Sequence, residues 1–459
     1  MPTFSLAFPK PATRRVLLFS SLAAVVLFPV ALFGLVLVYL PFIQQPVFFA
    51  FVRDTLHRDP ATWPGTQWVY AGALLVAGIL LFTFAALSGG MFSWYERRVA
   101  ARIQSRIGPN RVGAFGFFQF IADAVKMLFK EDLVPAEADA LLFRAAPYFV
   151  VTGMTLTFVA LPFGQSVIAA DLNVGIFYLL AVTALNVVGI LLSGWSSNSK
   201  WALFGGMRSA AQVMSYEVPS ALAIMTPVLM AGTLSMQGII RAQGGWPWQW
   251  FVFRNPAAFV AFFMLYTSQL AEANRTPFDL PEAESELVSG YNTEYSGFRF
   301  ALYFLVEWAN LWVISAIVVS LFLGGWQIPG VTAQDWAAWR GGAELPRFSW
   351  WLWQLLSIGV FALKTLALVN VAIWLRWTLP RVRIDQMMNL CWKYLVPAGF
   401  VAMLFTLLWQ IVVAQAPIVE RVSGILLFVV SVYAVYRFLV LTRANVSRVV
   451  GDRVDLTNW

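Results

Sequence analysis

The stretch RFALYFLVEWANLWVISAIVVSLFLGG, residues 299–325, reads as a membrane-crossing helix with one carboxylate inside it. About 20 apolar residues, at about 1.5 Å each, cross a hydrocarbon layer of roughly 30 Å. After Arg299 the only charge in this stretch is Glu307. The same reading along the chain predicts ten spans, at 16–40, 68–92, 144–164, 174–195, 209–234, 256–272, 299–325, 351–377, 394–415 and 422–442. The expected fold class is all-α, a polytopic bundle of about ten transmembrane helices with cytoplasmic amphipathic helices. Composition agrees: mean hydropathy is +0.72, with 60% hydrophobic and 12% charged residues, far from soluble-domain usage.

Basic residues set the predicted orientation. Loops on one side, together with both termini, hold Lys10, Arg14, Arg15, the run from Arg97 to Arg144, Lys200, Arg208, Arg275, Arg299, Arg376, Arg381, Arg383, Lys393, Arg443, Arg448 and Arg453. The other side holds only Arg53, Arg58, Arg241, Arg254, Arg340, Arg347 and Arg421. The first side, with both termini, is therefore predicted to be cytoplasmic. Three parts are expected: an N-terminal extension with one extra span (1–67), a membrane domain (68–415), and an extra C-terminal span with a tail (416–459). Span 16–40 follows Arg14-Arg15 like a signal peptide. It is long, however, and "YLPFIQQP" shows no small-residue cleavage pattern, so an uncleaved span is predicted.

The net charge of +8 calls for no nucleic acid, because basic loops beside spans follow from insertion and from anionic lipid. Cys391 is the only cysteine and His57 the only histidine, which excludes iron–sulfur clusters and bis-histidine haem held by this chain alone. A histidine-rich metal site is excluded too. "GPNRVG" has P-loop-like glycines but no following Gly-Lys-Ser/Thr. Any electron carriers must sit on another chain.

Four charged constellations stand out. In "WYERRVAARIQSRIGPNRVG" (94–113), a helical period from Phe92 to Ile107 puts Tyr95, Val99 and Ile103 on one face and Arg98, Arg102 and Arg106 on another. This predicts an amphipathic helix lying in the headgroup region, stopped by Gly108-Pro109-Asn110. A plain anchor gains little from Glu96 beside Arg97. In "FIADAVKMLFKED" (120–132), Asp123, Lys126 and Lys130 are spaced for salt bridges on a solvated face, which explain them adequately. Within the spans lie Glu217, Glu272, Glu307 and Lys364. Each buried charge costs roughly 2.5–3.5 kcal/mol at a helix centre. One structural Lys–Glu pair would account for two of them; all four predict a polar path able to pass protons.

The fourth is "FDLPEAESELVSGYNTEYSG" (278–297), which carries Asp279, Glu282, Glu284, Glu286 and Glu294. Pro277 and Pro281 predict a loop for its first part. A solvated acidic loop is the ordinary explanation. Leu280, Leu287, Val288, Tyr291 and Tyr295, interleaved with the acids, predict instead a segment packed into protein.

From about Trp68 to Pro397 the chain closely resembles the H subunit of NADH–quinone oxidoreductase, respiratory complex I. The motifs that carry the likeness are "ERRVAARIQSRIGPNRVG", "GWSSNSKWALFGGMRSAAQVMSYE", "LAEANRTPFDLPEAESELVSGYNTEYSG" and "TLPRVRIDQMMNLCWKYLVP". The resemblance implies a helical subunit of the bacterial inner membrane, at the junction of a peripheral redox arm and a proton-pumping membrane arm. It implies quinone as substrate, no cofactor on this chain, and FMN and iron–sulfur clusters on partner subunits. The implied partners are the peripheral-arm quinone-site and iron–sulfur subunits, small membrane subunits, antiporter-like subunits and membrane lipid.

Carried onto this sequence, the resemblance makes Glu96 and Arg97 a charged pair near the quinone access, with Arg106, Arg111, Arg275 and Arg299 expected around the chamber. Asp123, Lys126, Lys130 and Glu131 match a first-loop pattern. Glu217, Glu272 and Glu307 match buried relay glutamates, and Glu282, Glu284, Glu286 and Glu294 those of the loop beside the chamber. Lys364 matches a buried lysine of the relay, and Arg381, Arg383, Asp385 and Gln386 a last cytoplasmic motif. The extra spans and the long connection 326–350 depart from the pattern. Span 174–195 offers no carboxylate, only Asn186 and Ser193, so a relay must pass it without one. Rival readings are the equivalent subunit of a complex with a ferredoxin or deazaflavin donor, a membrane-bound hydrogenase anchor, and a stand-alone ion transporter. The transporter is disfavoured because no internal repeat is found.

Overall fold

The computed structural model describes residues 65–282, 284–330 and 347–450. The predicted span 16–40 and most of the connection 326–350 lie outside the described residues. Among those described, the chain is helical and has no strand. Ten long elements carry the architecture: α1 (Gly65–Ile103), α2 (Gln119–Phe129), α3 (Ala140–Ala160), α4 (Gly175–Ser196), α5 (Lys200–Ala231), α6 (Pro256–Glu272), α7 (Gly297–Phe322), α8 (Arg347–Thr378), α9 (Val396–Gln415) and α10 (Pro417–Val450). Eight helices among the described residues are long and apolar enough to span a membrane. The predicted span 256–272 is the 17-residue α6. The polytopic helical bundle is therefore as expected, with nine of the ten predicted spans accounted for by helices.

α7 is the axis of the bundle. Its second half, from Leu311 to Phe322, is buried at every position, because α1, α3, α6 and α8 all pack around it. α3 lies along α4, α4 along α5, and α5 along α6. Small residues permit these approaches: Gly194 of α4 faces Gly206 and the backbone of Ala202 on α5. α9 and α10, by contrast, expose Phe400, Val401, Leu404, Ile411, Val429 and Tyr433. Exposed apolar side chains of this kind on a spanning helix are what lipid contact requires. α10 is attached through Phe428 against Trp248 and Phe253, and through an Arg254–Glu420 ion pair.

One expectation is corrected. Residues 92–107 do not form a separate helix lying at the interface. Residues 92–103 are the last turns of α1, which runs unbroken from Gly65 to Ile103, and 104–107 are a turn beyond it. The reason is packing: Trp94, Glu96, Ala100 and Ala101 are buried, so this end is held by protein rather than by headgroups. Arg98 donates to the Phe115 carbonyl at 2.5 Å and lies over the Trp94 and Phe115 rings.

The acidic stretch packs as its apolar residues predicted. Phe278, Leu280, Leu287, Tyr291 and Tyr295 are buried, while Val288 is exposed. After an irregular start it forms two short turns, Glu284–Leu287 and Gly290–Asn292. These rest on α5 at Gly205, where a Cβ would meet the Tyr291 nitrogen at 2.6 Å and the Gly290 Cα at 2.7 Å. Both are backbone atoms and cannot step aside. Gly205→Ala is therefore expected to destabilise the protein by about 1–3 kcal/mol, read as a lower thermal midpoint in detergent; an unchanged midpoint would show that the loop does not need this close approach.

Candidate functional site

The end of α1 turns Glu96 inward, where it is 4% exposed. Three elements bring donors to it. Arg275, in the turn after α6, donates from Nη1 to Oε2 at 3.1 Å. Arg376, near the end of α8, donates to Oε1 at 2.6 Å, and Trp308 of α7 donates from Nε1 to Oε2 at 2.8 Å. Glu307, one residue before Trp308, places Oε1 3.2 Å from Arg275 and 3.9 Å from Arg376. Two carboxylates and two guanidinium groups thus form one cluster whose charges balance. Burial opposes the Arg275 charge, but Glu307 and Glu96 outweigh it and hold the guanidinium above its ordinary pKa. Its Nε and Nη2 are buried without a hydrogen-bond acceptor, so one edge of the guanidinium fork is unused.

Beside this cluster a cavity of about 50 Å³ extends into the membrane region, with room for a few waters. Glu282, Tyr291 and Tyr303 line it at the loop end, Glu307 and Asn310 along α7, and Gln269 and Glu272 along α6. Four oxygens in its wall are buried without a hydrogen-bond partner: Asn186 Oδ1, Gln269 Oε1, Glu272 Oε1 and Tyr303 Oη. Buried polar atoms of this kind are normally satisfied by ordered water. Glu282 accepts from Asn292 Nδ2 at 2.9 Å and Tyr291 Oη at 3.3 Å. Burial, then Glu307 and Asp279, push Glu282 well above the ordinary carboxylate range, against the opposing pull of Arg275. At the far end Gln269 Nε2 bridges Glu272 Oε2 (2.6 Å) and Ser220 Oγ (2.9 Å). Ser220 stands one turn from Glu217 on α5.

The other expected residues separate into three groups. Arg97 turns away from Glu96 and binds Asp123 of α2 at 2.7 Å. Burial raises the Asp123 carboxyl, but Arg97 and Gln119 outweigh it and hold it below its usual range. Arg299 pairs with Asp132 at 3.2 Å, and Arg208 with Glu286 at 2.7 Å, drawing Glu286 below its ordinary value. Glu284 opens its short helix, and Glu294 is half-buried in the turn before α7. Arg106, Arg111, Lys130 and Glu131 are exposed, as are Arg383, Asp385 and Gln386. Lys364 is not brought to the described carboxylates: its ammonium donates to the carbonyls of Leu323, Gly325 and Gln327.

Sequence reasoning missed Arg376, Trp308, Asn292, Gln269 and Ser220 as parts of the site. Arg376 registered only as one more basic residue at a span end, and a neutral residue inside an apolar helix carries no signal of its own. Among the described residues no group of His, Cys, Asp and Glu could hold a metal ion.

A helical membrane protein with a buried, charge-balanced cluster opening into a polar cavity is the class that fold and site define. The sequence model of the NADH dehydrogenase family matches residues 76–407. Over 403 residues the chain is 66% identical to the NADH-quinone oxidoreductase H subunit of Anaeromyxobacter dehalogenans, covering 87% of this chain and 97% of that protein. The corresponding H subunits of Chlorobaculum tepidum and Dehalococcoides mccartyi are 46% and 43% identical, over 75% and 74% of this chain and 94% and 86% of theirs. The chain belongs to the H-subunit family of NADH-quinone oxidoreductase, and is thus a membrane subunit of respiratory complex I.

Two outcomes are expected at this site. Arg275→Met strands Glu96 and Glu307 beside one remaining guanidinium. It should cost about 3–5 kcal/mol, seen as loss of assembled complex or a much lower thermal midpoint. For Glu282 the sign follows from its raised pKa. The native state binds more protons than the unfolded chain above the ordinary value of 4.5, so its contribution is full below that pH and is lost as pH rises toward the native pKa. Glu282→Gln should therefore flatten the decline of thermal midpoint as pH rises above the ordinary carboxylate range; parallel curves for the two proteins would contradict the assignment.

Proposed function

We propose that this chain forms the membrane wall of the quinone chamber of the complex and the first part of a carboxylate proton relay into the membrane arm. The observation that carries this reading is the cavity joining Glu282, in the cytoplasmic loop, to Glu307 and Glu272 inside the helices. Electrons reach the quinone from outside this chain, through FMN and iron–sulfur clusters on partner subunits.

Quinone reduction consumes protons and transiently places negative charge beside the chamber. Glu282, with neutral donors Tyr291 and Asn292 and carboxylate neighbours, is the group that takes up or gives a proton most readily there. Glu96 and Glu307 are both clamped by Arg275 and Arg376. A new negative charge near Arg275 would draw on its unused Nε–Nη2 edge and loosen its hold on Glu307. Glu307 would then gain a proton, which cavity waters pass to Glu272, and Gln269 and Ser220 orient Glu272 toward Glu217. Asn186 continues the polar wall across α4, which has no carboxylate.

Arg97 and Asp123, with exposed Arg106 and Arg111, would border the quinone access, and Arg299 with Asp132 would brace the loop above it. Membership in a bacterial inner membrane, with both termini cytoplasmic, fits the distribution of basic residues and the bacterial sources of the relatives. The partners of the reading are the peripheral-arm and antiporter-like subunits, small membrane subunits and lipid.

Glu272→Gln keeps the hydrogen-bonding shape and removes the proton-carrying group. In the assembled complex it is expected to lower coupled NADH-driven quinone reduction by about tenfold or more, with assembly unchanged on native gels. Wild-type proton translocation per quinone reduced, at a wild-type rate, would remove Glu272 from the path. Arg97→Ala should raise the quinone concentration for half-maximal rate; an unaltered quinone dependence would place the access elsewhere.

A further inference from the structure

Lys364 lies in the middle of α8, inside the membrane, and among the described residues no carboxylate stands within ion-pair distance of it. Its surroundings are a cage of carbonyl oxygens. α7 ends at Phe322, and Gly324 and Gly325 take positive φ of 71° and 48°, a region open to glycine and strained for most other residues. The turn makes the Leu323, Gly325 and Gln327 carbonyls converge on Lys364 Nζ at 2.8, 3.0 and 3.0 Å. The ammonium also sits 4.1 Å from the centre of the Trp250 ring. An ammonium has three N–H donors and no acceptor, so all three are filled by carbonyls that cannot accept a proton at any physiological pH.

The cage is itself braced. Gln327 Nε2 donates to the Ile240 and Gln243 carbonyls at 2.6 and 2.7 Å. Gln243 Oε1 accepts from the Gly324 N–H at 2.8 Å, and its Nε2 donates to the Ser320 carbonyl at 2.9 Å. Trp326 Nε1 donates to Gln237 Oε1 at 3.0 Å. Carbonyls at a helix C-terminus lack N–H partners and carry the negative end of the helix dipole. Leu323 is the C-cap of α7, so Lys364 places a cation at that negative end, and the Gly325 and Gln327 carbonyls of the following turn complete its shell.

We propose that Lys364 is a tethered capping cation, a positioning residue that fixes the end of α7 to α8, and not a proton carrier. The consequence for the site is geometric. α7 presents Glu307 and Trp308, and α8 presents Arg376, roughly 18 Å beyond Lys364 at about 1.5 Å per residue. The near end of this seam is tied by the long Arg376–Glu307 contact of 3.9 Å and by Glu96, which accepts from both Arg376 and Trp308. The Lys364 cage ties the far end, and the two together hold the register in which Arg376 meets Glu96. This goes beyond the relay reading and does not depend on it, since it concerns a group outside the cavity.

The test separates a cation that caps from a group that carries protons. In the intact complex in native membranes, Lys364→Ala is expected to lower NADH-driven quinone reduction by about tenfold, through loss of three charge-assisted hydrogen bonds. Potassium binds carbonyl oxygens but carries no proton. Potassium chloride, compared with choline chloride at equal ionic strength, should restore activity at least about threefold, and methylammonium should do the same. Lys364→Arg, a permanent cation at these pH values, should retain more activity than Lys364→Ala, with an unshifted pH profile. Support comes from rescue by potassium, or from an active arginine variant with that profile. Rescue by methylammonium alone, with an inactive arginine variant, would make Lys364 a proton carrier and overturn the proposal. Failure of potassium, methylammonium and arginine alike would overturn it too, as would full activity in Lys364→Ala. None of these results alters what Glu272→Gln reports about the relay.

Discussion

The structure turns on the Arg275 guanidinium, which is buried to 3% exposure between Glu96 and Glu307. A charge taken out of water persists only where opposite charge and hydrogen bonds replace hydration. Satisfying Arg275 therefore forces α1, α7 and the turn after α6 together, and Arg376 brings α8 to the same place. The four groups balance, so the cluster is tolerated in a membrane protein. It is also poised: any charge that appears nearby competes for Arg275, whose second edge is unused.

Around this cluster the helices are arranged by small residues and by the loop that covers them. Gly205 admits the backbone of Gly290 and Tyr291 against α5. The loop can then bury Tyr291 and Asn292 and aim them at Glu282. Tyr295 stacks on Phe143 of α3 with ring centroids 4.1 Å apart, which anchors the loop's other end. The acidic segment is thus the lid of the cavity, and its carboxylates divide by environment. Glu286 is exposed and paired with Arg208. Glu282 is sheltered with neutral donors, and the same side chain has a different proton affinity in each place.

Much of this was legible in the residues. Nine of ten predicted spans have helices because apolar length is a local property. Glu217, Glu272 and Glu307 were conspicuous because a carboxylate in an apolar run has a cost that some partner must offset. The packing of the acidic loop could be read from its interleaved leucines and tyrosines. The extent of α1 could not. An amphipathic period after a span looks the same whether its apolar face meets lipid or protein, and here Tyr95 and Val99 of that face pack against the protein core, with Trp94, Ala100 and Ala101 buried beside them.

The sequence by itself determined the membrane class, the set of buried charges and the kinship with the H-subunit family, since each depends on residue type and local order. Only the tertiary structure decided the pairing. Glu96 stands beside Arg97 in the chain, yet it binds Arg275 and Arg376, which are 179 and 280 positions away. Lys364 binds backbone carbonyls, and no acid among the described residues. Partner choice among buried charges is set by which helix faces meet, and those faces are selected by packing and burial summed over the whole bundle, which no local pattern records.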